Sequence, residues 1–124
     1  MQAFVLDGVV ATLLRDGSSE VIASAGHPVR VDGHTVGVAR MAEPPPHRGE
    51  LHPDGDELLY IVSGRVRVVL DDGDLEVIGQ ETRHEIGPGE AFIVPRGVWH
   101  RLEILEPVQL VHVTPGPASA HRPR

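Results

Sequence analysis

With 124 residues the chain has room for one hydrophobic core, because dividing it would leave two units each too small to offset chain entropy. Its 18 acidic against 11 basic residues give a formal balance of −7, a field that repels phosphate backbones and anionic membrane surfaces and so argues against nucleic acid or membrane as partners. The lack of cysteine excludes disulfides, thiolate catalysis, iron–sulfur clusters and cysteine-bound zinc, so any metal must rest on nitrogen and oxygen ligands.

The stretch from Met1 to Leu14 carries Asp7 and has neither a basic leader nor a small-residue cleavage site. It reads as structure, with strands over Phe4–Leu6 and Val9–Leu14 and at most a short helical turn. No apolar run is long enough to cross a bilayer, so the cytoplasm is the expected location. Short β-rich runs follow at Val21–Ala23, His34–Met41 and Glu57–Val62. In Arg65–Leu70 the side chains of Val66, Val68 and Leu70 share one face and Arg65 and Arg67 the other, the alternation of a half-buried strand. Asp71-Asp72-Gly73-Asp74 suits a reversing turn into Leu75–Ile78, which completes a hairpin. Ala91–Val94, Trp99–Leu105 and Val108–Val113 close the series.

Fourteen glycines and 11 prolines are scattered between these runs, the punctuation of an all-β sandwich or barrel. One domain over residues 1–113 is expected. Pro115, Pro117 and Pro123 with small neighbours make 114–124 read as a flexible tail. Pro44-Pro45-Pro46 instead leads into a His- and Glu-bearing segment, where a stiff entry would fix its approach to the core.

That segment holds the first chemical signal. Glu50 and His52 are two apart, so an extended chain projects both from one face, as two ligands of one ion require. Glu57 has the opposite parity, but Pro53-Asp54-Gly55-Asp56 is strong turn chemistry that can return it to the same face. Leu59 and Ile61 share the side of Glu57, which sets that carboxylate at the mouth of an apolar interior. A charge there needs a partner, and a cation is one of the few that suffices. Downstream, strand, Pro/Gly turn and strand over Gly89–His100 aim His100 inward beside Leu102 and Ile104, opposite Trp99 and Arg101.

These residues resemble the cupin superfamily, whose motifs run G-x5-H-x-H-x3,4-E-x6-G and G-x5-P-x-G-x2-H-x3-N. Gly89, Pro95, Gly97 and His100 fall in register with the second motif, and Ile104 replaces its asparagine. His52, Glu57 and Gly64 match the first, Glu50 replaces its first histidine, and Pro44 stands where its leading glycine would be. The resemblance covers roughly residues 34–113. It implies a jelly-roll β-barrel of two packed antiparallel sheets and a divalent ion (Fe, Mn, Zn or Ni). Carried over by position, its ligands are His52, Glu57 and His100, with Glu50 as a substituted fourth.

Glu50 keeps two further readings, as a solvated carboxylate and, when unligated, as the general base of catalysis. His47 is a rival donor of unfavourable parity. His27, His34, His84 and His112 lack a spacing signal and read as surface residues or supports of the ligands. Trp99 and Tyr60 read as packing residues on the outer face, where Leu58, Tyr60 and Val62 suggest a homodimer contact. Which of Arg40 and Met41 faces inward depends on register. The function expected is a metal-dependent enzyme of dioxygenase, isomerase, cyclase or lyase type acting on a small molecule, with a non-catalytic binding or sensing module as the alternative.

Overall fold

The structure is a computed structural model that describes residues 2–24, 28–45, 49–71 and 81–122. Nine strands are present among them: β1 (Val9–Leu14), β2 (Ser19–Ala23), β3 (Gly33–Met41), β4 (Gly49–Leu51), β5 (Glu57–Asp71), β6 (Glu81–Ile86), β7 (Ala91–Val94), β8 (Trp99–Pro115) and β9 (Ala120–Arg122). All pairings are antiparallel, and no helix occurs among the described residues. The molecule is an all-β jelly-roll barrel, as expected.

Two long strands organise it. β8 pairs with β3 from Val108 to Pro115 and with β4 at His100, while β5 runs along its other edge from Leu58↔Val113 to Asp71↔Trp99. β7 lines the first part of β5 and β6 the last part. One bent sheet therefore forms both layers: β2-β1-β3-β8-β5-β7 at one end of the long strands and β9-β4-β8-β5-β6 at the other. The two packed sheets anticipated from sequence are halves of this single hydrogen-bonded surface.

The bend lies where the β5/β8 register slips, between Ile61 and Val66. Gly64 takes φ +84° there, and a Cβ on it would collide with the Pro107 carbonyl, so the close strand crossing requires glycine. The slip also changes parity. Glu57, Leu59 and Ile61 face inward before it and Val66, Val68 and Leu70 after it, which keeps Arg65 and Arg67 out of the interior. Leu59, Ile61, Val66, Val68, Leu70, Ile86, Val94, Val108 and Leu110 form the core, with Met41, Phe92, Leu102 and Ile104 packed against it.

Several expectations need correction. Residues 4–6 are not a strand, because they have no ladder partner. Each long strand reads as two runs in the sequence, because Gly64 and Pro107 look like breaks when met locally. The segment after Thr114 is no loose tail, since β8 continues to Pro115, Thr114 is buried, and β9 pairs with β4 through Glu50↔His121. β6 was not anticipated, because its Thr82–Glu85 stretch is exposed and polar and carries no apolar alternation. The Asp72–Asp74 part of the proposed turn, the strand Leu75–Ile78, His27 and His47 lie outside the described residues. Met41 packs against the core, whereas Arg40 is exposed and pairs with Asp7 at 3.0 Å.

Candidate metal centre

Glu50 and His100 are direct cross-strand partners in β4 and β8, so their side chains leave the sheet on the same side. His52 lies just past β4, and its carbonyl accepts a 2.9 Å bond from the Gly97 N–H. Glu57 opens β5 opposite Val94. Between His52 and Glu57 the Pro53–Asp56 turn is clamped from the neighbouring turn: the Arg96 N–H donates to Asp56 Oδ1 and its Nε to Pro53 O, both at 2.7 Å. This clamp reverses the chain and gives Glu57 the inward direction that its parity alone would deny.

Glu50, His52 and His100 come together, and Glu57 lies beside both imidazoles. Nε2 of His52 lies 3.3 Å from Oε1 of Glu50 and 3.3 Å from Oε2 of Glu57, and Nε2 of His100 lies 3.1 Å from Oε1 of Glu57. One donor atom from each of Glu50, His52 and His100 falls within 4.8 Å of the others, a grouping that could hold a metal ion. Ligands at roughly 2.0–2.2 Å from an ion sit on the order of 3 Å apart when adjacent, so these separations suit a shared cation.

The tautomers agree with that. Nδ1 of His100 faces the Val98 carbonyl at 3.4 Å, and a carbonyl can only accept, so Nδ1 carries the proton and Nε2 is turned to the carboxylate. Nδ1 of His52 meets the Ser119 hydroxyl at 3.3 Å. Its Nε2 is buried between two carboxylates with no hydrogen-bond partner, an arrangement that a cation would satisfy.

Electrostatics of the protein alone fits the same picture. Burial pushes the Glu57 carboxyl up, but the approach of the His100 and His52 imidazoles outweighs it and holds the group well below the usual carboxylate range. Burial opposes charging of His100, yet its bond to Glu57 and the nearby carboxylates raise it above the ordinary imidazole value. His112 goes the other way, its burial outweighing the carboxylates and lowering it.

Support for Glu57 comes from β8. The Thr114 hydroxyl donates to Glu57 Oε2 at 2.6 Å and so must accept from Nδ1–H of His112, 2.9 Å away. Gly37 makes room for that imidazole, since a Cβ there would stand 2.7 Å from His112 Nε2. Of the two readings open for His112, the structure favours support of the site, whereas His34 and His84 are exposed. Trp99 is covered by the Arg122 guanidinium at 4.4 Å, and Tyr60 stands exposed on the outer face.

Arg30, Thr114, Ser119 and His121 were missed. Arg30 Nη2 reaches Glu50 Oε1 at 3.0 Å, its Nε donates to Ser119 Oγ at 2.9 Å, and His121 Nε2 lies 3.7 Å from the same Glu50 oxygen. These contacts span 20 to 89 residues, so no local pattern could signal them. Glu50 is accordingly no solvated loop group: it is largely buried and ion-paired.

A family model described as "Cupin domain" matches residues 36–114. The chain belongs to the cupin family. No curated protein matches this cupin. Among solved structures it is similar to an oxalate oxidase (TM-score 0.56, 19% identity, 70% of this chain and 45% of that one). It is also similar to a cupin-2 domain protein from Shewanella frigidimarina NCIMB 400 (TM-score 0.52, 17% identity, 67% and 71%) and to oxalate decarboxylase from Bacillus subtilis (TM-score 0.55, 18% identity, 71% and 23%). The chain spans less than half the length of the oxalate oxidase, and at these identities the likeness concerns the fold.

Proposed function

We propose that this cupin is a metal-dependent enzyme acting on a small organic molecule, with Glu50, His52, Glu57 and His100 as ligands of one Fe, Mn, Zn or Ni ion. The observation that carries the reading is His52 Nε2, buried and without a hydrogen-bond partner between the carboxylates of Glu50 and Glu57. A neutral imidazole nitrogen facing two anionic oxygens is repelled unless a proton or a cation lies between them. All-nitrogen-and-oxygen ligation suits these borderline and hard divalent ions and disfavours soft copper chemistry. When bound, such an ion supplies Lewis acidity toward a carbonyl or enolate oxygen.

The protein's own groups do the rest. A cavity of about 140 Å³ opens beside the four residues, lined on one side by Ala39, Met41, Leu59, Leu102 and Leu110 and on the other by Glu50, Glu57, His100 and Arg30. Its apolar wall excludes water and orients a small substrate, and Glu50, when it does not ligate the ion, is the carboxylate placed to take a proton from that substrate. Dioxygenase, isomerase, cyclase and lyase reactions all fit this arrangement.

Elemental analysis of protein purified without added metal tests the reading. One equivalent of metal, lost in folded His52→Ala and His100→Ala variants, supports it, and metal-free protein that nevertheless binds a small molecule would install the sensing alternative. The proposal places the enzyme in the cytoplasm as a homodimer. The outer row of half-buried Leu58 with exposed Tyr60, Val62 and Ile93 supports the dimer, and a monomer by light scattering at micromolar concentration would reject it.

A further inference from the structure

Arg30 lies six residues ahead of the segment matched by the family model, yet its guanidinium lines the cavity beside the proposed ligands. It is fixed on three sides: Nε donates to Ser119 Oγ at 2.9 Å, Nη1 to the Val29 carbonyl at 2.9 Å and Nη2 to Glu50 Oε1 at 3.0 Å. Both it and Glu50 are 17% exposed, so the pair is well shielded from bulk water. A guanidinium carries five N–H groups in a planar fork, and these anchors leave one N–H on each of Nη1 and Nη2. The side chain is thus held rigidly at the cavity, with two N–H groups that these anchors do not use.

Charge points the same way. With a divalent ion held by Glu50 and Glu57, ion and carboxylates cancel, and Arg30 adds one positive charge that those groups do not balance. The cavity then favours an anion although the protein as a whole is formally −7. Size adds a limit, because about 140 Å³ is well below the roughly 300–1,000 Å³ of pockets for drug-sized ligands.

We infer that the substrate is a small carboxylic acid bound as its anion, with the carboxylate on Arg30 and the reacting end toward the four proposed ligands. This rests on the metal-enzyme reading above and adds the substrate class. Arg30 selects the substrate, and Ser119, brought in by the chain leading to β9, holds Arg30 and the His52 ring in one register through a single hydroxyl.

The test loads the full-length protein with manganese(II), confirms the metal content, and then titrates lactate and, separately, its uncharged analogue lactamide by calorimetry. Lactate is expected to bind at least about tenfold more tightly, as for a charge-assisted contact against a neutral one. Arg30→Met is expected to keep its manganese and lose most of that preference. Arg30→Lys, which keeps the charge without the fork, is expected to fall between them and serves if the methionine variant does not fold. Equal affinity for the two ligands in the parent protein, or an unchanged preference in the Arg30 variants, overturns the inference and leaves the metal centre standing. Failure of the protein to take up manganese or any other divalent ion brings down both.

Discussion

Thr114 donates a 2.6 Å hydrogen bond to Glu57 across 57 residues of sequence, and both side chains are buried. A single hydroxyl proton fixes the direction of the relay from His112 through Thr114 to the carboxylate. Thr114→Val keeps the volume and removes the relay. Metal affinity is expected to fall by about 10–100-fold, the usual effect of removing a group that orients a ligand. Stability should fall by about 1–3 kcal/mol, because the His112 N–H and one Glu57 oxygen lose a partner. Metal titration and chemical denaturation measure the two effects, and an unaltered affinity would show that Glu57 does not depend on Thr114.

Acid should undo the metal-free protein in two stages. His112 is lowered from 6.5, so its contribution is present above that value and is lost as the pH falls through its folded value. Glu57 is lowered from 4.5, so its contribution is present above 4.5 and is lost at more acid pH, where both flanking imidazoles lose their counter-charge. His100, raised above 6.5, contributes below that value and loses its contribution as the pH rises through its folded value. Thermal melts with a chelator from about pH 8 to pH 3 should show a small gain toward pH 6.5 from His100, a shallow decline below it from His112 and a steep one below 4.5 from Glu57. Glu57→Gln should flatten the steep limb, and a limb of unchanged slope would place the acid sensitivity elsewhere.

Gly64→Ala should prevent the bend. The left-handed φ alone costs about 1–3 kcal/mol for a side-chain-bearing residue, and the collision with the Pro107 carbonyl adds to it. Loss of soluble protein, or a drop of more than about 3 kcal/mol in denaturant, is the expected result. A variant of parental stability would mean that the crossing of β5 and β8 can open without harm.

Glu50→His would restore the residue that the cupin motif carries at this position. The ligand count is preserved, so metal should still bind, but Arg30 loses the partner of its 3.0 Å ion pair. Because Arg30 keeps its bonds to Ser119 and Val29 and loses one partner, stability should fall by about 1–3 kcal/mol. Metal analysis beside a denaturation curve tests both parts, and loss of the metal would show that the second carboxylate is indispensable.

Much of the candidate site's geometry was legible because it depends on short spacings. The step from Glu50 to His52, the turn before Glu57 and the Pro95-Arg96-Gly97 turn before His100 each set a local direction, and the barrel needed only to bring those directions together. The fold was read less completely. Gly64 and Pro107 are turn signals in isolation, and here they form a bend inside strands that continue through it. The partners of the candidate ligands were hidden for another reason: Arg30 and Ser119 meet across 89 residues, and no periodicity encodes such a contact. Thr114 was assigned to a tail because prolines follow it, although its hydroxyl is what secures Glu57.

The continuity of β5 and β8 through both layers also governs how the molecule comes into being. Their ladder joins residues as far apart as Leu58 and Val113, so many of the stabilising contacts are long-range, and acquisition of structure should be slow for so short a polypeptide. The two layers share the same two strands, which couples their formation. His100 and Glu57 therefore reach one another in the same cooperative event that buries Ile61 and Val66.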